Sequence, residues 1–154
     1  MKKAAAVMLL TLASCGQPSS KVDYHVNGGQ TVTINDPKNG SVKAEMGASA
    51  KMPTDLPAWA PAYPGSRVVL AQSQTGTPGG PLENVMLQSP DDWAKVSAFY
   101  DAKIAQAGIK LMHTASGPDV STRMAETASG IVSVAVSRAD DGGSTISITR
   151  MPKS

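Results

Sequence analysis

The chain reads as an α+β protein, an antiparallel sheet packed by one long amphipathic helix. Three observations predict this. Val132, Val134 and Val136 alternate with Ser133, Ala135 and Ser137, then Asp140-Asp141-Gly142-Gly143 supplies a turn, and Ile146 and Ile148 resume the alternation. That is a hairpin with one apolar and one polar face. A second pair of strand-like runs, 67–72 and 83–88, flanks the Gly- and Pro-rich stretch 75–81, whose composition suits only a loop. Between the two hairpins, Trp93, Val96, Tyr100, Ile104 and Ala107 share one face at helical spacing, which an amphipathic helix across the sheet would bury.

Taken in order, the chain opens on a secretion-type segment. Lys2 and Lys3 form a positive head, Ala4 to Leu12 an apolar run, and Ala13-Ser14 a small-residue pair before Cys15, the chain's single cysteine. The nine-residue run is far short of the ~20 residues that cross a bilayer as a helix. Plain secretory cleavage near Ala13 and a buried helix opening a cytosolic domain are the other readings of the stretch. Leu12-Ala13-Ser14-Cys15 resembles a bacterial lipobox. That resemblance implies cleavage between Ser14 and Cys15, a diacylglycerol thioether on the Cys15 sulfur and an acylated amino group. About three chains would then hold the protein on its membrane, since each buried methylene contributes about 0.8 kcal/mol. Gly16 stands where an Asp, in lipoproteins of Gram-negative bacteria, tends to mean inner-membrane retention. The resemblance therefore implies the outer membrane, facing the periplasm, with palmitate-type acyl chains as the membrane contact.

Residues 1–14 are thus expected to be the signal peptide and 15–30 a lipidated flexible tether. The tether carries Pro18, Ser19, Ser20, Gly28 and Gly29 and has a root-mean-square reach of roughly 20 Å. Residues 31–52 form a possible hairpin and linker. Val32 and Ile34 alternate with threonines, 35–40 carry the turn, and Val42, Ala44 and Met46 alternate again. An isolated hairpin is marginal in water, so it either docks on the main domain, which is favoured slightly, or is poorly ordered.

The main domain is expected over 53–151. It begins with a proline-rich passage, Leu56-Pro57-Ala58-Trp59-Ala60-Pro61-Ala62-Tyr63-Pro64-Gly65, which cannot be helical and should run extended. Trp59 and Tyr63 either cap the core, the favoured reading, or present a peptide or glycan platform. After the first strand hairpin, with a mobile tip over 75–81, Ser89-Pro90-Asp91-Asp92 reads as a helix start. Ser89 is the expected N-cap, Pro90 the first helical residue, and the two acids face the positive end of the dipole. Gly108 should end the helix after about 18 residues, or ~27 Å. Residues 110–115 read as a strand, and 120–129 stay open between strand and loop. The order LPAWAPAYPG, hairpin, SPDDWAKVSAFYDAKIAQAGIK and further strands resembles a set of uncharacterised bacterial envelope lipoproteins. The likeness spans about 53–150 and implies the fold, with no activity attached.

The charge balance narrows the function classes. The full chain carries 14 Lys+Arg and 12 Asp+Glu. Loss of the signal peptide removes Lys2 and Lys3, leaving a formally neutral protein with no basic patch for nucleic acid. With two Trp, three Tyr and one Phe, the core must be mostly aliphatic, and a lipidated Cys15 rules out an intrachain disulfide.

No catalytic residues and no cofactor are expected. The histidines, His25 and His113, lie in no metal-ligand spacing, and no GxSxG elbow occurs. A triad of His113, Asp119 and Ser121 is a paper construction, which leaves an envelope hydrolase as a remote third reading. Met112-His113 is a weak copper pattern. The expected function is a non-enzymatic interaction module, lipid-anchored in the envelope, whose partners are other envelope proteins. The alternative is a small-ligand-binding lipoprotein with a pocket between helix and sheet, lined by Trp93, Tyr100 and Ile104.

Overall fold

The computed structural model describes residues 19–24 and 28–153. The signal segment, Ser14, Cys15 and His25 lie outside the described residues. The described chain is mostly antiparallel sheet with a single α-helix. Nine strands form one sheet in the order β1-β2-β3-β4-β5-β9-β8-β7-β6. They are β1 Ser19–Tyr24, β2 Gln30–Asp36, β3 Gly40–Met46, β4 Arg67–Gln74, β5 Leu82–Ser89, β6 His113–Ser116, β7 Val120–Thr127, β8 Gly130–Arg138 and β9 Ser144–Pro152. Helix α1, Trp93–Gln106, carries the chain from β5 to the far edge at β6. The last four strands then return as a meander, so that β9 pairs with β5 and joins the two halves.

Register decides which residues meet. Val85 pairs with Ile148 and Leu87 with Ile146. Ile148 pairs with Val134 and Ile146 with Val136, and Ala125 pairs with Val132. These side chains share one face, called the front here, and all are buried. Their β-branched majority suits a pleated, covered surface. α1 lies against β8 and β9 on this face, and Val96, Tyr100 and Ile104 enter the same core. The proline-rich passage runs beside the helix, contributing Trp59, Ala60 and Tyr63 to the core, with Met52 and Leu56 packed against it.

Several elements differ from the sequence reading. Ser19–Tyr24, placed in a tether, is edge strand β1, because Val22 meets Val32 and Ser20 meets Ile34 on a shared face. The hairpin of β2 and β3 docks edge to edge, with Met46 opposite Leu70 and Val42 opposite Gln74. The sheet therefore runs straight through the boundary drawn at residue 53. Residues 120–127 are strand, and the strand expected over 110–115 is confined to His113–Ser116.

The helix has 14 residues, shorter than the expected 18 or so. Ser89 is still strand, paired with Ser144, and its hydroxyl accepts from the Asp91 N–H at 3.1 Å. The N-cap is Asp92, whose carboxylate accepts from the Ala94 N–H at 2.8 Å. The other end follows its glycine. Gly108 has φ +62, its N–H donates to Ala105 O, and the Ile109 N–H reaches back to Ile104 O at 3.1 Å. This is the paired bonding of a Schellman motif.

The 75–81 tip, expected to be mobile, is pinned on two sides. The Thr75 N–H donates to Ser41 O at 2.8 Å. A Cβ on Gly76 would press on Gly40 Cα, and one on Gly79 would collide with the Lys153 carbonyl oxygen. Glycine is needed there for close approach to neighbouring backbone.

Candidate functional site

A cleft opens on the front face, at the end of the sheet α1 leaves uncovered. It holds ≈ 380 Å³, with Lys43 and Glu45 of β3 on one wall and Lys51 to Asp55 on the other. Ala71, Ser73 and Glu83 contribute the floor. The passage does not run extended as expected. It turns at 54–55, 58–59 and 64–65, with the Ala60 N–H donating to Pro57 O at 2.9 Å and the Ser66 N–H to Tyr63 O at 3.0 Å. It forms a wall here because Arg150 ties it to the sheet. Arg150 Nη1 lies 2.6 Å from Asp55 Oδ2, and Nη2 lies 2.8 Å from Glu83 Oε2. Arg150 itself is buried, so one guanidinium binds a carboxylate of the passage and one of β5 at the base of the cleft. Lys43 and Glu45 pair with each other at 2.7 Å. Lys51 is exposed and forms no ion pair among the described residues.

Each of the three carboxylates in this arrangement, Glu45, Asp55 and Glu83, is held by a cation. Lys43, Glu45, Lys51, Asp55 and Glu83 give the cleft charges of both signs beside Met52, Pro53 and Ala71.

The residues singled out from the sequence fall elsewhere. Trp59 and Tyr63 are 3% and 6% exposed, so neither offers a surface platform. Trp59 Nε1 is buried without a hydrogen-bond partner among the described residues. Tyr63 stands edge-on to Phe99 at 5.0 Å, and its hydroxyl donates to Asp91 Oδ2 at 2.6 Å. Lys95 reaches the same oxygen from the next turn at 2.9 Å. The Tyr63 hydroxyl, and then Lys95, hold the Asp91 carboxyl below the usual carboxylate range, while that carboxylate pushes Tyr63 and Lys95 up. Tyr100 and Ile104 are in the core at 0% and 6% exposure, and Trp93 is half-buried against it. The Tyr100 hydroxyl donates to Pro61 O at 3.0 Å, and burial pushes it well above the usual phenol range. The space that the alternative reading assigns to a helix–sheet pocket is occupied by Tyr100 and Ile104, with Trp93 packed against them.

The paper triad does not assemble. Register pairs His113 with Met124 and Ser116 with Ser121, which puts His113 and Ser121 on opposite faces. Ser121 instead bonds Ser97 at 3.0 Å and accepts from Arg123 Nη1 at 2.8 Å. Asp119 is taken by Arg138 at 2.7 Å. Met112 is exposed, and no group of three or more His, Cys, Asp and Glu side chains converges among the described residues.

Two residues carry more than the sequence reading gave them, Arg123 and Arg150. Both occupy core-facing positions of strands, Arg123 two residues before Ala125 and Arg150 two residues after Ile148. A cation in phase with an apolar alternation was the available signal, since it must be paired if that face is buried. Arg123 meets both oxygens of Asp101, at 2.6 and 2.8 Å, and donates to Ser97 Oγ at 2.5 Å. It thereby fastens β7 to the helix. No family model matches the chain, and neither a curated protein sequence nor a solved structure is similar to it.

Proposed function

We propose that this is a lipid-anchored bacterial envelope protein that acts as an interaction module rather than an enzyme. Acyl chains on Cys15 hold it on the periplasmic face of the outer membrane, and its partners are other envelope proteins. The observation that carries the reading is the order Lys2-Lys3, Ala4 to Leu12, Ala13-Ser14-Cys15, in which the only thiol stands where a lipobox cysteine would. Gly16, in place of Asp, supports the outer membrane over the inner. The mixed-charge cleft between Lys43 and Asp55 supports recognition of a polypeptide segment. It weighs against the alternative, a small-ligand pocket between helix and sheet, that Tyr100 and Ile104 are consumed by the core.

The test is a crosslinking pull-down from intact cells, comparing the wild-type chain with Cys15→Ala. A specific envelope protein captured by the wild type and lost in the variant is the expected result. Recovery of a co-purifying small molecule and no protein would favour the ligand reading, and equal capture by both chains would detach partner choice from the anchor.

A further inference from the structure

The first three strands are two-faced. On the front they carry Lys21, Asp23, Lys43 and Glu45, which form two ion pairs. On the back, register aligns Val22 with Val32 and Ala44, and Ile34 with Val42, while Tyr24 and Met46 flank Gln30 in the next row. None of these side chains is buried: Val22, Tyr24 and Ile34 are exposed, and Val32, Val42, Ala44 and Met46 are half-buried. Among the described residues the exposed large hydrophobics are Val22, Tyr24, Ile34, Met112 and Val120. Three of the five therefore sit together on β1 and β2, with Tyr24 the most open at 81%. A bare apolar patch on an edge strand invites unwanted pairing and normally has a cover.

Chain length says what covers it. Only Gly16, Gln17 and Pro18 separate Cys15 from the first residue of β1. Whatever their conformation, that link spans at most roughly 14 Å. An acylated cysteine sits at the lipid headgroups, a layer several ångströms deep on each side of the hydrocarbon. Edge strand β1 is then the one part of the sheet that cannot leave the membrane surface, and the apolar side of that edge is the back. Tyrosine, apolar in body and polar at its tip, suits that boundary.

We infer that the back face of β1–β3, with Val22, Tyr24 and Ile34 at its rim, rests on the leaflet that holds Cys15. This rests on the lipid-anchor reading proposed above. It gives the domain a fixed attitude, with the Lys43–Asp55 cleft turned away from the lipid toward the periplasm.

The test uses the full acylated chain in vesicles of phosphatidylethanolamine and phosphatidylglycerol. Acylation consumes the only native thiol, so Tyr24→Cys, Ile34→Cys and Lys43→Cys each present one site for a spin label. Intact mass is recorded on every sample, and circular dichroism checks that each variant is folded. At positions 24 and 34 the label should collide more with oxygen, which partitions into lipid, than with a water-soluble nickel chelate. At position 43, on the other face of the same strands, the order should reverse. Labels at 24 and 34 as open to nickel as the one at 43, in acylated protein, would overturn the inference and leave the anchor standing. Protection from both reagents would overturn it too, because a second copy of the chain would then be the cover. An unmodified Cys15 would remove the anchor reading and this inference together.

Discussion

Asp101 lies on the helix surface with its side chain 60% exposed, whereas its partner Arg123 is 4% exposed. Mutation of the exposed member should nevertheless be the more damaging. Asp101→Ala leaves a buried guanidinium without its counter-charge. Its remaining partners, Ser97 and Ser121 at 2.5 and 2.8 Å, are neutral hydroxyls. Breaking a buried pair from one side costs about 3–5 kcal/mol. Water enters past position 101, so the lower end, about 3 kcal/mol, is expected. Arg123→Met removes the cation and keeps most of its volume. Ser97 and Ser121 still bond each other at 3.0 Å, and Asp101 passes into solvent. What is lost is an ion pair already open to water on one side, worth about 1 kcal/mol. Urea denaturation of both variants in a Cys15→Ala background measures the difference. Asp101→Ala should have the lower midpoint at an unchanged slope, and Asp101→Ala/Arg123→Met should lie near Arg123→Met alone, since the two sites are coupled. An Arg123→Met loss equal to or larger than that of Asp101→Ala would refute this account of the helix-to-β7 fastening.

Tyr100→Phe keeps the edge-on contact with Phe99 but strips Pro61 O of its donor. A loss of about 1–2 kcal/mol in urea is expected. Gly108→Ala meets no atom within 4 Å but must hold φ +62, so a loss of about 1 kcal/mol with an unchanged denaturation slope is expected from backbone conformation alone. Arg150→Ala releases Asp55 from Glu83 at the base of the cleft. Amide exchange in 52–60 should accelerate there, with β8 and β9 unaffected. Asp36, Asp91 and Glu126 have carboxyls held low in the folded chain, chiefly by the Lys38 N–H, the Tyr63 hydroxyl and Lys153 respectively. Their contribution is present above the unfolded carboxylate pKa, about 4, and is lost as pH falls through the lower folded values. Lys95 and Lys153 are raised, so theirs is present below about pH 10 and fades above it. The urea midpoint should thus fall at both extremes, and Tyr63→Phe should shrink the acid fall.

The parts of the fold that could be read from the sequence are those where one residue pattern has one structural meaning. The alternation around Val132–Val136 and Ile146–Ile148 admits only a half-buried hairpin, and Gly108 needs its positive φ whatever packs nearby. The helix starts three residues later than the Ser89-Pro90-Asp91-Asp92 pattern suggests, with Asp92 as its N-cap. The choice fell to tertiary contacts, with Ser144 holding Ser89 in the sheet and Tyr63 occupying Asp91. Ser19–Tyr24 reads as a tether because an edge strand exposed on both faces needs few apolar residues, and its partner at 30–36 is set by register. The cleft was hidden for a related reason. Lys43, the run from Lys51 to Asp55, and Glu83 lie on three separate stretches of chain, and only β3–β4–β5 pairing and the Arg150 clamp bring them together.

The central claim concerns Cys15, and intact mass spectrometry of the protein extracted from membranes reads it directly. The account predicts a chain that begins at Cys15 and carries the added mass of a diacylglyceryl group and an amide-linked acyl chain. It also predicts that Cys15→Ala shifts the protein to the soluble fraction. A free thiol at Cys15 on a wild-type chain found wholly in the soluble fraction would contradict it.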